Sequence, residues 1–191
     1  MSDIYEQLAN LLEYPDVRFD SNVTAGPDED RLASFRSRIA ALSLADLQEL
    51  YARTFDLNPA CALEVGYHLF GENYKRGEFL AHLRESEAPF ELGQQQQLPD
   101  YLPVLLRLIT RLDDQELRAS LITECLIPAI EKMLKTFADA ANPYGSLLEA
   151  VRASLQAEAC AQQAAAPVTF HARATLPVMN ASFMETKPEL F

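Results

Sequence analysis

The chain has 191 residues, enough for one domain with a single well-buried core. Lys and Arg total 16 against 28 Asp and Glu, and the formal net charge of -12 excludes a general nucleic-acid binder and docking on an anionic membrane. Hydrophobic residues make up 49%, so the chain is not a disordered polyanion. Cys61, Cys125 and Cys160 are odd in number and far apart, which disfavours a disulfide framework or zinc knuckle and fits a reducing compartment. The opening MSDIYEQLANLLEY has no basic n-region and no apolar h-region, and no apolar run approaches ~18 residues. The expected location is cytoplasmic, with no membrane insertion.

Apolar residues recur at helical spacing along the chain. Ile4, Leu8, Leu11 and Leu12 form the first stripe, ended by Tyr14-Pro15. Residues 15–30 read as a loop. Leu32, Phe35, Ile39 and Leu42 form a second stripe. Ser43 is placed to cap a third helix carrying Leu47, Leu50, Tyr51 and Phe55. Asn58-Pro59 breaks the pattern, and a fourth helix is expected over 60–70 with Gly71 as its stop. Another follows over 73–87. Residues 89–99 read as a polar linker with four glutamines. Leu102, Leu105, Leu106, Ile109 and Leu112 make the next stripe, and Asp113-Asp114 opens another helix. Pro128 lies inside a helical run, either as a kink or in a first turn. Tyr144, Leu147, Leu148, Val151 and Leu155 form the last stripe. The expectation is an all-α domain of about eight or nine helices over residues 1–166. Residues 167–191, with three prolines, read as an extended or mobile arm.

No P-loop, GxGxxG after a strand, GxSxG or HExxH is present. His68 and Glu72 are one helical turn apart, as are His82 and Glu85. Either pair can begin a metal site, but a closed site needs three or four ligands. Cys61 and His68 share one expected helix face, yet nothing orients a thiol–imidazole pair there. No bound metal or stable cofactor is expected. Two segments are less ordinary. One is Tyr67-His68-Leu69-Phe70-Gly71-Glu72 with Tyr74-Lys75-Arg76-Gly77, which gathers aromatics, a histidine and two bases around two glycines. The other is Leu98-Pro99-Asp100-Tyr101-Leu102-Pro103, where two prolines bracket an acid and a tyrosine. Asp100 there can cap a helix. A stiff corner with a carboxylate and aromatics also suits capture of a cationic, partly apolar peptide.

Together these segments resemble the redox-enzyme maturation chaperones of the TorD/DmsD/NarJ family. Tyr51, Thr54, Phe55 and Asp56, then Tyr67 to Glu72, Arg76-Gly77, Leu80, Leu83 and Leu98 to Pro103 carry the match. Leu11 to Pro15 and Pro143-Tyr144 with Leu147-Leu148 extend it over roughly residues 4–155. The Leu-Pro-Asp-Tyr-Leu-Pro wording places it nearest the NarJ-like branch, also called nitrate reductase delta subunits. The resemblance implies a TorD-like helical bundle and a non-enzymatic cytoplasmic chaperone. It implies a partner: the catalytic subunit of a molybdenum-containing iron–sulfur oxidoreductase. The chaperone would grip that subunit, by its N-terminal segment, until the molybdenum cofactor is inserted. That cofactor belongs to the client. It further implies a part in nitrate assimilation or anaerobic respiration, and binding of unfolded protein. Whether the chaperone is a monomer or a homodimer stays open.

The client-binding residues expected on this basis are Tyr51, Phe55, Tyr67 and Phe70 for apolar contact. Asp100 would meet a cation. His68 and Arg76 would meet carbonyls or acids, and Tyr101 and Pro103 form the stiff corner. Two departures stand out. Many members have an acid where this chain has Gln97, and a carboxylate in the run that here reads Leu106-Arg107-Leu108. Both point to a client with a less basic or non-exported N-terminus. Two rival readings are a permanent structural subunit of the oxidoreductase and an all-α metal-dependent hydrolase using His68, Glu72 and His82.

Overall fold

Apolar spacing near 3.6 makes helices, and nine α-helices form among the described residues. The structure is a computed structural model that describes residues 2–21, 28–92, 97–137 and 142–165. The helices are α1 (Ser2–Leu11), α2 (Glu29–Ile39), α3 (Leu44–Tyr51), α4 (Val65–Phe70), α5 (Tyr74–Glu87), α6 (Leu102–Arg111), α7 (Gln115–Ser120), α8 (Ile127–Leu134) and α9 (Pro143–Ala165). The all-α expectation holds. The arm expected over 167–191 and most of the glutamine run lie outside the described residues.

The centre of the bundle is α6. Every residue from Leu102 to Ile109 is buried, so α6 has no solvated face until its last two residues, Thr110 and Arg111. Its stripe is therefore wider than the spacing alone implies, and it takes in Arg107. α1 packs along α6, α2 along α9, and α8 against both α9 and α4. Tyr5, Leu8, Leu11 and Leu12 join Phe35, Leu102, Leu105, Leu106, Tyr144 and Leu148 in one core. Each such side chain stabilises the fold by roughly 1.5–3 kcal/mol relative to its exposed state.

Several helix ends follow local chemistry. Ser43 caps α3, and its side chain and that of Asp46 bond each other's backbone N–H in a capping box. Asp28 caps α2 and Asp114 caps α7. Gly71 ends α4 at φ +61°, where a Cβ would be strained.

Three places depart from the expected pattern. Leu42 lies beyond the end of α2 and is exposed. The helix expected over 60–70 is split: Pro59–Cys61 is a 3-10 turn, the chain then extends, and α4 starts only at Val65. Tertiary pairing overrides helix here. The Leu102 N–H donates to the Leu63 carbonyl and the Val65 N–H to the Asp100 carbonyl, both at 2.8 Å. Pro128 takes one of its two expected placements, in the first turn of α8. A π-helical turn, Leu121–Leu126, joins α7 to α8 just before it, and the wider turn makes room for a ring that would strike the carbonyl four residues back. Asp100 does not cap α6. Tyr101 holds the cap position without a side-chain bond, and Asp100 reaches to α4 instead.

Candidate functional site

A second π-helical turn, Ala52–Asp56, continues α3. It buries Phe55 and leaves Asp56 at the surface. Such turns widen a helix and re-aim the side chains they carry. The turn borders a cleft of about 540 Å³. Tyr51, Phe55, Leu63 and Tyr101 make its floor; Tyr67 and Leu98 line its sides; Asp56, Glu64 and Glu72 bring carboxylates to it.

The floor is rigid. The Tyr51 hydroxyl donates to the Leu12 carbonyl at 3.0 Å and pairs with the Tyr101 hydroxyl at 2.9 Å. The Tyr51 ring meets Phe55 edge-on at 5.0 Å, and Phe55 meets Tyr144 at 4.9 Å. Such pairs each add about 0.5–1.5 kcal/mol beyond simple burial. Burial pushes the Tyr51 phenol far above its ordinary range and the Tyr101 phenol up to about 12, so both stay neutral.

The charge of the cleft is one-sided. Asp56, Glu64 and Glu72 have no ion-pair partner among the described residues. Arg76 also lines the cleft, but its guanidinium is committed to Asp100. Its Nε donates to Asp100 Oδ2 at 3.1 Å, and its Nη2 lies 3.0 Å from the same atom. It sits 5.9 Å from the centre of the Tyr67 ring. Burial raises Asp56 above its ordinary carboxylate range.

Five of the nine expected binding residues meet at this cleft: Tyr51, Phe55, Tyr67, Arg76 and Tyr101. Four do not line it. Phe70 packs on Phe79 at 5.4 Å. Pro103 is buried in the first turn of α6. The His68 Nε2 meets the Ala62 carbonyl at 2.6 Å. Asp100 has no exposed surface. Its Oδ2 accepts the Gly66 N–H at 3.1 Å as well as Arg76, so the expected offer of this carboxylate to a partner's cation is corrected. It is an internal tie. Arg107, in the run where the resemblance implies a carboxylate, is also held inside the fold. It is 8% exposed and pairs with Glu6 at 2.8 Å and Glu13 at 2.7 Å.

Sequence reasoning missed Glu64; it quoted Asp56, Glu72 and Leu98 in the matching segments, and Glu72 as a candidate metal ligand, without naming them as binding residues. Among the described residues no group of three or more His, Cys, Asp or Glu is arranged to hold a metal ion. Burial also raises the Cys61 thiol to about 11, so it remains protonated at neutral pH.

Burial lowers the His68 imidazole below its usual 6.5, so the folded chain keeps it neutral. The unfolded chain takes up that proton at higher pH. Stability is therefore full above about 6.5 and falls as pH drops towards the depressed value. Thermal melts across that window should show a drop in Tm that His68→Gln flattens. An unchanged slope in the variant would assign the drop to other groups.

The described residues form an all-α protein with an aromatic, acid-lined cleft. The sequence belongs to the nitrate reductase delta subunit family, whose profile matches residues 22–147. It is also similar to the probable nitrate reductase molybdenum cofactor assembly chaperone NarJ of Bacillus subtilis (strain 168). The two are 26% identical over 166 residues, covering 80% of this chain and 88% of the relative.

Proposed function

We propose that this protein is a molybdenum cofactor assembly chaperone for a nitrate reductase or a related molybdenum oxidoreductase. It binds the enzyme's catalytic subunit by the N-terminal segment and releases it once the cofactor is in place. It is not itself an enzyme, and the molybdenum cofactor stays with the client. The family membership and the name of the similar protein support the general role. The observation that supports segment capture is the cleft: an apolar aromatic floor under three unpaired carboxylates. That chemistry takes a short segment with apolar side chains and at least one Lys or Arg.

Release needs no nucleotide. Once the client folds around its cofactor, the segment is drawn into the client's own structure. Aromatic floor contacts supply most of the affinity, and the carboxylates supply encounter rate and sign selection.

Titration calorimetry with a synthetic peptide of the client's N-terminal segment tests this. Asp56→Asn, Glu64→Gln and Glu72→Gln together should weaken binding about tenfold, at roughly 0.5 kcal/mol for each screened charge, with Tm unchanged. Because Asp56 ionises late, wild-type affinity should begin to fall at a higher pH than an ordinary aspartate would give. Equal affinity of the triple variant and wild type would refute the carboxylate role. No binding by either would refute segment capture here.

A further inference from the structure

The aromatic cleft has a neighbour along the same stretch of chain. Between Leu50 and Pro59, at the end of α3 and through the π-helical turn after it, side chains divide between two hollows. Tyr51, Phe55, Asp56 and Pro59 line the cleft already described. Leu50, Arg53, Thr54 and Asn58, with Thr136, line a second cleft of about 450 Å³. Leu57 lines neither, and it is 78% exposed between a residue of the first cleft and a residue of the second. The wall they share is tied in place. The Thr54 hydroxyl donates to the Leu50 carbonyl at 2.6 Å and accepts from the Asn142 side-chain amide at 2.9 Å.

The two clefts differ in charge. Asp56, Glu64 and Glu72 bring carboxylates to the first. Among the described residues lining the second, Arg53 alone is charged. It is exposed and enters no ion pair among the described residues. The π-helical turn produces this separation. In an α-helix, residues three apart are neighbours, and an Arg–Asp pair at that spacing can close on itself. Here the Leu57 N–H donates at 2.9 Å to the Ala52 carbonyl, five residues back. Such a turn rotates less per residue than one closed four residues back, which holds Arg53 and Asp56 further apart around the axis. Neither charge is spent on the other, and each lines its own cleft.

We propose that the two clefts are halves of one docking surface, and that the segment it takes carries both signs of charge. A Lys or Arg of the segment meets Asp56, Glu64 and Glu72. An apolar residue covers Leu57, and an Asp or Glu beyond it meets Arg53. The inference rests on the reading of the aromatic cleft as a segment-binding site, and it adds the second half. In a chain of net charge -12, a cleft lined by an arginine and no carboxylate is a place where a partner's acid is welcome. Opposite charges on either side of an apolar contact fix the direction and register of the segment. The reversed order sets like charges together, which rejects segments that carry a cation alone in the wrong place.

A random peptide library displayed on phage tests this. It is panned on the wild-type chain, on Arg53→Glu, and on the variant with Asp56→Asn, Glu64→Gln and Glu72→Gln combined. Arg53 is exposed, so circular dichroism melts should show Arg53→Glu folded with Tm unchanged. Peptides kept by the wild type should carry Lys or Arg and Asp or Glu at a fixed offset, with an apolar residue between. On Arg53→Glu the acid at that offset should become about threefold rarer, the scale of one screened charge pair, while the cation stays. Arg53→Gln should fall between. On the triple variant the cation should be lost and the acid kept. An acid equally frequent on wild type and Arg53→Glu, or one at no fixed offset from the cation, would overturn the proposal and leave the aromatic cleft its role. A cation preference untouched in the triple variant would instead overturn the reading of the aromatic cleft, even where the acid still depends on Arg53.

Discussion

Asp100→Ala is expected to lower stability by about 3 kcal/mol, on the order of 10 °C in Tm for a chain of this size. The carboxylate is fully buried, and one of its oxygens serves three donors on two helices. Its removal leaves the Gly66 N–H and the Arg76 guanidinium without their acceptor. Arg76 is 21% exposed and can turn partly to water, which holds the loss at the lower end of the range for broken buried pairs. Asp100→Asn keeps an acceptor but not the charge, and should fall between. Circular dichroism melts decide this: an alanine variant that melts with the wild type would make the carboxylate dispensable and reopen its surface role.

Gly66 gives a second reading of the same junction. A Cβ there would lie 2.7 Å from Asp100 Oδ2 and 3.1 Å from Phe79. Gly66→Ala should therefore cost about 1–3 kcal/mol through overpacking. In the Asp100→Ala background it should cost much less, because the tightest clash is gone. Simple additivity would place the glycine's role elsewhere.

How far the sequence was legible depends on the range of each interaction. The spacing of Leu8, Leu11, Leu12, Phe35 and Leu148 defines core faces, and all of these are buried. Ser43 and Asp46 act within one turn, and the capping box they form is readable from the letters. The split of the fourth helix is not readable, because the pairing that causes it joins residues 63–65 to 100–102. Asp100 misled for the same reason: its local setting fits a cap, and its partners lie 24 and 34 positions away. Tyr51, Phe55, Tyr67 and Tyr101 were found because aromatics in a recognisable order are conspicuous. Glu64 and Glu72 were not assigned to the cleft, since separated acids in an acidic chain carry no signal until the backbone brings them together.

Arg107→Glu is the other substitution with a large expected effect, and it separates two accounts of one position. The family resemblance implies a carboxylate in this run. If the arginine acted on a cationic client from the surface, reversing its charge would strengthen client binding and spare the fold. Its surroundings argue otherwise. It is a buried position on the central helix, bonded to Glu6, Glu13, Asn10 and the Leu92 carbonyl, and it does not line the cleft. A glutamate there puts a third carboxylate against two others and removes every donor, which should cost about 4 kcal/mol or more and loosen α1 from α6. Arg107→Leu should cost far less, because Glu6 and Glu13 are each more than 40% exposed and can turn to water. Adding Glu6→Arg to Arg107→Glu should recover part of the loss, since it restores one opposite-sign pair in the same place. Denaturant melts of the three variants should rank leucine first, the swapped pair second and glutamate last. If Arg107→Glu instead keeps the wild-type midpoint, the α1–α6 tie is not what holds this arginine, and its charge belongs to the surface after all.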